Sequence, residues 1–337
     1  MKHVTIKDVA RAMGCSVSTV SRAFNDKYDI HPDTRKRILD MAESMGYRPN
    51  PIARKLIKQR SFNIGMIVPE FETAFFPKVI MGAQEVLQAH NYQMIVMQSN
   101  ESWETELKNV KMLVDNMVDG LIISLSSEDQ NLDYYQELLS RKMPIVFFNR
   151  VADELNASKV LFEDYNWAFF ATEHLITQGI KKIVHLASHE KLSFAKNRIQ
   201  GFRDAHYKYR LDPGPTLNCG FSVEEGERVA QELIDKNDIP EAIFAASDLS
   251  AIGAIKTFKR NGYRIPHDLR VVGFSESRLA SYIEPPLTSV SQPTTQIGKT
   301  AAELLIKEIE NEVSVPQTVL LNGRLNVRAS SMPSIQA

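Results

Sequence analysis

Apolar positions follow two regimes along the chain. Over the first fifty residues they recur three and four apart, and beyond residue 60 short continuous apolar runs alternate with amphipathic helical stretches. In the first regime Ile6, Val9, Ala10 and Met13 share one helical face, with Thr5 as N-cap, Asp8 three residues on, and Gly14 as the stop. After Gly14-Cys15, Ser16 caps a second helix with Val20, Ala23 and Phe24 inward and Val17, Ser18, Ser21 and Arg22 outward. Pro32 and Gly46 bound a third, whose Ile38, Met41, Ala42 and Met45 oppose Arg35, Lys36 and Arg37. Two short helices across a Gly-containing turn make a helix-turn-helix, and three such faces suffice for a small trihelical core.

The segment Arg48 to Ile57 follows, in which Asn50 can cap and Pro51 can start a further two-turn helix. A helix below about a dozen residues is marginal alone, so this piece is expected to be helical only against a second chain or DNA. It reads as a switchable hinge.

The second regime predicts strands at 63–69, 93–97, 120–124, 144–148, 159–162, 182–187, 242–246 and 271–274, alternating with helices. That alternation gives an α/β fold of parallel sheets flanked by helices, and a length of about 270 residues favours two sheets over one. Ligands bind such folds at the carboxyl ends of the strands. The expected division is a headpiece at 1–49, a hinge and linker at 50–60, and a core at 61–337.

Charge sharpens this picture. The net charge of −1 divides unevenly at Arg60: residues 1–60 hold 13 Lys and Arg against 6 Asp and Glu, leaving 27 against 35 for the rest. A small basic module precedes an acidic body, which suits attachment to phosphates with the body held away from them. A second helix entering the major groove would present Val17, Ser18 and Arg22 to base edges: Arg22 forks onto guanine, Ser18 donates or accepts, and Val17 packs on a thymine methyl. Thr5, Ser16, Thr19, Ser21, Asn25, Thr34 and Tyr47 are expected to position phosphates. A Ser or Thr near a helix start also serves as a plain cap.

Val4 to Ala10, Gly14 to Arg22 and Gly46-Tyr47-Arg48-Pro49-Asn50 closely resemble the headpiece of the lactose-repressor (LacI/GalR) family. Arg198-Ile199-Gln200-Gly201-Phe202, Val271-Val272-Gly273-Phe274 and Pro285 to Val290 resemble its periplasmic-binding-protein-like core. The resemblance covers nearly the whole chain. It implies a homodimer on a pseudo-palindromic double-stranded DNA operator, with paired hinge helices placing Ala53 and Leu56 in the minor groove, where Leu56 would act as an apolar wedge. It also implies two lobes joined by three crossovers, an N-lobe of about 61–160 and 292–322 and a C-lobe of about 161–291 and 323–337. Between them, Phe75, Phe76, Asn149, Asp164, Arg198, Phe221, Asp248, Ser275 and Gln292 occupy the positions that line an effector pocket. Aromatic faces with amides, carboxylates and the Arg198 fork suit a carbohydrate. The chain departs from the family pattern at Ser247-Asp248 and at Ser275-Glu276, where many members have Asn-Asp and, after Gly-Phe, Asp. Either Glu276 replaces that carboxylate or the ligand is less hydroxyl-rich or more acidic.

The resulting expectation is a ligand-controlled transcriptional regulator, a repressor, with no cofactor and no metal. An enzyme is disfavoured because no P-loop, strand-linked Gly-x-Gly-x-x-Gly, Gly-x-Ser-x-Gly or His-Glu-x-x-His occurs. His174, His185 and His189 form at best a loose cluster with structural or surface roles. Cys15 and Cys219 are expected to be packing thiols. With no apolar run of about 18 residues and no leader-like start, the chain is expected to be cytoplasmic and away from membranes. A regulator controlled by a protein corepressor, without a small ligand, fits the same headpiece.

Overall fold

The computed structural model describes residues 4–24, 30–47, 60–188, 192–312 and 315–332, in two compact units spanning 1–61 and 62–337. In the first, α1 (Ile6–Met13), α2 (Val17–Phe24) and α3 (Pro32–Ser44) enclose Val9, Ala10, Val20, Ala23, Ile38 and Ala42. Asp8 Oδ2 accepts from Thr5 N at 2.9 Å and Thr5 Oγ1 at 2.7 Å, and Gly14 ends α1 at φ 62°. That left-handed conformation is cheap only for glycine. Met41 and Met45 are half-buried at the edge of this core, as is Phe24, which meets Tyr47 edge-on with ring centroids 5.5 Å apart. Arg35 corrects one expectation. It does not point outward with Lys36 and Arg37 but is half-buried, its Nε donating to the Ala23 carbonyl at 3.0 Å. The last-turn carbonyls of a helix lack an intrahelical donor, and Arg35 supplies one to α2.

The second unit begins with β1 (Asn63–Val68), β2 (Gln93–Gln98), β3 (Gly120–Ile123), β4 (Ile145–Phe148) and β5 (Ser158–Phe162). A second series follows: β6 (Ile183–Ala187), β7 (Thr216–Asn218), β8 (Ala242–Ala245), β9 (Arg270–Phe274) and β10 (Thr288–Ser291). Two late strands, β11 (Thr318–Leu321) and β12 (Arg324–Asn326), go one to each sheet. The orders are β11-β5-β4-β3-β1-β2 and β12-β10-β9-β8-β6-β7. All pairings are parallel except β10 with β12. Alternate residues of the first sheet feed different clusters, Ile64, Met66 and Val68 on one face and Ile67, Leu121 and Ile123 on the other. Burial on both faces is why these strands read as continuous apolar runs rather than alternation.

Between the strands run α4 (Phe75–Ala89), α5 (Trp103–Asp115), α6 (Leu132–Ser140), α7 (Asp164–Ile176), α8 (Ser193–Lys208), α9 (Val223–Asp235), α10 (Asp248–Arg260) and α11 (Thr294–Ile309). Helices pair as α4 with α11, α7 with α8 and α9 with α10. Thus α11, although it follows the second series of strands, returns to pack on α4 and on β3, β4 and β5 of the first sheet. The chain crosses between the lobes three times: after β5, after β10, and between β11 and β12. These crossings lie against one another, since a Cβ built on Gly323 would sit 2.7 Å from both the Phe162 ring and the Ser291 carbonyl oxygen.

The α4–α11 contact is equally tight. A Cβ on Gly298 would lie 1.9 Å from the Val79 carbonyl oxygen, and one on Gly82 would lie 2.0 Å from that of Thr295. Backbone cannot yield as a side chain does, so the helices would have to separate. Gly298→Ala is therefore expected to destabilise the core by about 1–3 kcal/mol, read as a lower urea midpoint with an unchanged slope.

Candidate functional site

Two surfaces collect the residues singled out by sequence. On α2, Val17, Ser18 and Arg22 are exposed, with Val17 retaining 41% of its accessible surface. Ser16, Ser18 and Thr19 converge at the start of that helix: Ser16 Oγ accepts from Thr19 N at 3.1 Å and lies 2.7 Å from Ser18 Oγ and 2.8 Å from Thr19 Oγ1. Unpaired N–H groups at a helix start make this end attractive to an anion. Thr5 and Thr34 are exposed, whereas Ser21 is half-buried. Tyr47 is half-buried against Phe24, and burial pushes its phenol upward. Asn25, Ala53, Leu56 and the Asn50 to Ile57 hinge lie outside the described residues.

The second surface is a cavity of about 200 Å³ between the two sheets, at the carboxyl ends of their strands. Phe75, Phe76, Asn149, Arg198, Phe221, Asp248, Ser275 and Gln292 line it together. Phe75 and Phe76 stand edge-to-face at 5.1 Å at the start of α4. Arg198 is buried on α8. Its Nε and Nη2 reach Asp164 Oδ1 at 2.8 and 2.7 Å, and its Nη1 donates to the Ala246 carbonyl at 2.8 Å. Its guanidinium carbon lies 3.7 Å from the Phe274 ring centroid and 4.8 Å from that of Phe194. A guanidinium has five N–H groups, so two remain for a ligand.

Asp164 occupies a different place from the one its sequence position implies. It is not part of the cavity wall but sits behind Arg198, where burial pushes its carboxyl up against the opposing pull of the guanidinium. A buried cation needs a counter-charge more than the ligand needs a second acceptor. Glu276 is likewise turned away: both carboxylate oxygens engage Arg328, which also donates to the Leu287 carbonyl at 2.7 Å. Ser275 lines the cavity and Glu276 does not, so Glu276 does not replace the missing carboxylate.

Asp248, at the start of α10, accepts from Ser289 Oγ at 2.6 Å and from the Ser277 backbone N–H. Burial outweighs these bonds and pushes its carboxyl up to about 7. Sequence reasoning passed over Glu70, Thr73, Arg150, Phe194, Leu249, Ser277, Arg278 and Leu279, which also line the cavity. Phe194 carried a usable signal, lying one helical turn before Arg198 on the same face. The lobes also touch outside the cavity, where Glu128 accepts from Ser193 N at 2.8 Å and Ser193 Oγ at 2.9 Å. That carboxylate caps the α8 N-terminus from across the cleft.

His185 and His174 make structural contacts. His185 is stacked 4.6 Å from Phe244 and 5.2 Å from Phe202, its Nδ1 bonded to the Phe244 carbonyl, and burial lowers it to about 4. His174 Nε2 lies 2.8 Å from Ser331 Oγ, and His189 lies outside the described residues. Cys15 is half-buried, while the buried Cys219 thiol is pushed up to about 12, which makes it unreactive. No helix among the described residues is long and apolar enough to cross a membrane.

A helix-turn-helix unit and a strand-exchanged, two-lobed cavity in one chain define a DNA-binding regulator with a sensor domain. Residues 5–50 match the family model for bacterial regulatory proteins of the lacI family, and residues 172–331 match that for a periplasmic binding protein-like domain. The chain is 30% identical to the ribose operon repressor of Haemophilus influenzae, over 97% of its own length and 98% of the relative's. It is 32% identical to the transcriptional repressor PurR of Photobacterium profundum over the same shares. Among solved structures, a CelR–cellobiose complex aligns with a TM-score of 0.74 at 28% identity, covering 97% of this chain and all of that one. A lac repressor dimer bound to operator and an anti-inducer has a TM-score of 0.88 at 24% identity over 98% of this chain and all of that one, which supports the fold. The chain belongs to the LacI family of DNA-binding transcriptional regulators.

The Asp248 carboxyl supplies a pH test. Its folded value of about 7 lies above the unfolded value of 3.8, so its stabilising contribution is full below about pH 4 and is lost as pH rises through 7. Asp248→Asn should remove that component, at most about 4 kcal/mol, so that the gap between variant and native stability changes from pH 4.5 to 7.5 in denaturant titrations. A constant gap refutes the assignment.

Proposed function

We propose that this regulator is a homodimeric repressor of a pseudo-palindromic operator, acting in the cytoplasm without catalytic activity, whose DNA affinity is set by a carbohydrate-type small molecule held between the core lobes. The observation that carries this reading is the interlobe cavity, whose wall holds a buried Arg198 with two N–H groups to spare together with Gln292, Asn149 and the aromatic side chains. Polar groups fixed among aromatic faces suit a ring with an apolar face and oxygen at its edge. Relatives support the class: two are named ribose operon repressors, and solved neighbours hold cellobiose and ribose. Val17, Ser18 and Arg22 would read bases, while the α2 start and the exposed Thr5 and Thr34 would meet phosphates. A ligand favouring one arrangement of the lobes shifts the operator-binding equilibrium only by its differential affinity, and about 1–3 kcal/mol of coupling gives a roughly 5- to 150-fold change.

Selection of bound DNA from a random pool, with and without a carbohydrate panel, tests the whole reading. A selected motif that no small molecule affects would favour control by a protein corepressor. Arg22→Ala should cost about 1–3 kcal/mol and relax preference at one position per half-site, measured by competition binding. Arg198→Ala should keep operator affinity within about twofold while abolishing the ligand response, since a retained response would move the pocket elsewhere.

A further inference from the structure

The cavity is not the end of the cleft. A second chamber of about 660 Å³ adjoins it and shares Glu70, Glu72, Thr73, Arg150, Phe221 and Leu249 as common walls. At about 200 Å³ the inner chamber alone falls below the roughly 300–1,000 Å³ usual for ligand sites. The two linings differ. Phe75, Phe76 and Phe194 belong to the inner chamber only, whereas Gln98, Asn100, Ser126 and Ser127 belong to the outer one only.

Charge narrows what could lie across both. Among the outer chamber's described lining residues Arg150 is the one basic side chain, against Glu70, Glu72, Glu101, Glu128, Asp129 and Glu225. Glu101 already neutralises Arg150, reaching its Nη atoms at 2.5 and 2.9 Å, as Asp164 neutralises Arg198. An added phosphate or carboxylate in the outer chamber would therefore meet a wall of like charge, since Arg278, the inner chamber's remaining basic side chain, does not line the outer one. Hydroxyl groups, in contrast, can donate to those carboxylates.

Two buried donors fix where oxygen is wanted. Arg150, 4% exposed, stands in the wall common to both chambers, and its Nε–H has no acceptor among the described residues. Gln292, 6% exposed, lines the inner chamber with Nε2 likewise unsatisfied. Such donors are rare in a folded interior unless something else completes them. We propose that the effector is an uncharged glycoside of two rings: one ring against the inner aromatic wall with an oxygen at Gln292, the linking region at Arg150, and a hydroxyl-rich second ring in the outer chamber. This rests on the small-molecule sensor reading above and specifies its ligand.

The test is native mass spectrometry of the full-length chain with an equimolar mixture of uncharged monosaccharides, uncharged disaccharides, nucleosides and the phosphate esters of each. Retention of a disaccharide or a nucleoside at least tenfold above any monosaccharide or ester supports the proposal, and the retained mass tells the two glycosides apart. Preferential retention of a single ring or of an ester overturns it. No retention of any component at millimolar concentration would remove the sensor reading itself, and this proposal with it. Ser127→Trp then localises the second ring: at least tenfold weaker binding of the two-ring compound is expected, with binding of single rings unchanged. Ser127→Leu repeats the measurement with less bulk if the Trp variant melts earlier, and unchanged affinity in a folded variant overturns the outer site.

Discussion

The cleft is organised around one buried cation. Arg198 leaves water to sit among Phe194, Phe274 and the Ala246 carbonyl, which is tolerable only because Asp164 stands beside it. These partners come from α7, α8, the end of β8 and β9, so a single guanidinium ties together the elements that form the floor of the second lobe. The arrangement fixes the direction of its remaining N–H groups before any ligand arrives, and preorganisation of this kind lowers the cost of binding. Asp248, held by Ser289 on β10 and by the Ser277 backbone after β9, extends the same floor toward β10.

Opposite this floor lies a wall of different character, built from the start of α4 and the loops of the first lobe. A polar contact joins the two outside the cavity, the Glu128–Ser193 capping interaction. Polar contacts at a lobe boundary can be exchanged for water or for ligand at small net change in free energy, unlike an apolar interface. At the crossings the boundary is apolar instead, where Phe162 of β5 meets the Phe274 ring edge-on at 6.0 Å.

Much of this was legible in the pattern of residues. The three headpiece helices followed from spacing and capping alone, because Thr5, Gly14, Pro32 and Gly46 each has a local conformational reason to be where it is. The strands buried on both faces announced themselves as apolar runs. The strands Thr216–Asn218, Thr288–Ser291, Thr318–Leu321 and Arg324–Asn326 did not, being three or four residues long and partly polar at sheet edges or crossings. Position along the chain identified eight residues of the cavity wall but could not show which way a side chain turns. Asp164 and Glu276 both sit where a ligand contact was expected, and each faces an arginine instead. Arg35 shows the same limit, since helical periodicity put it outside whereas an orphan carbonyl drew it in. The outer chamber has no signature in sequence because its walls come from loops that only the fold assembles.

The meeting of Phe162, Ser291 and Gly323 at the crossings has a consequence for how the molecule is made. The first sheet lacks its edge strand β11 until the chain has been synthesised past residue 318, after nearly all of the second lobe has emerged. Neither half is a contiguous stretch that could mature independently on the ribosome, and a protease cutting at one junction would leave the halves tethered by the other two. The sensor is in this respect an indivisible unit of biosynthesis, although it looks like a pair of modules.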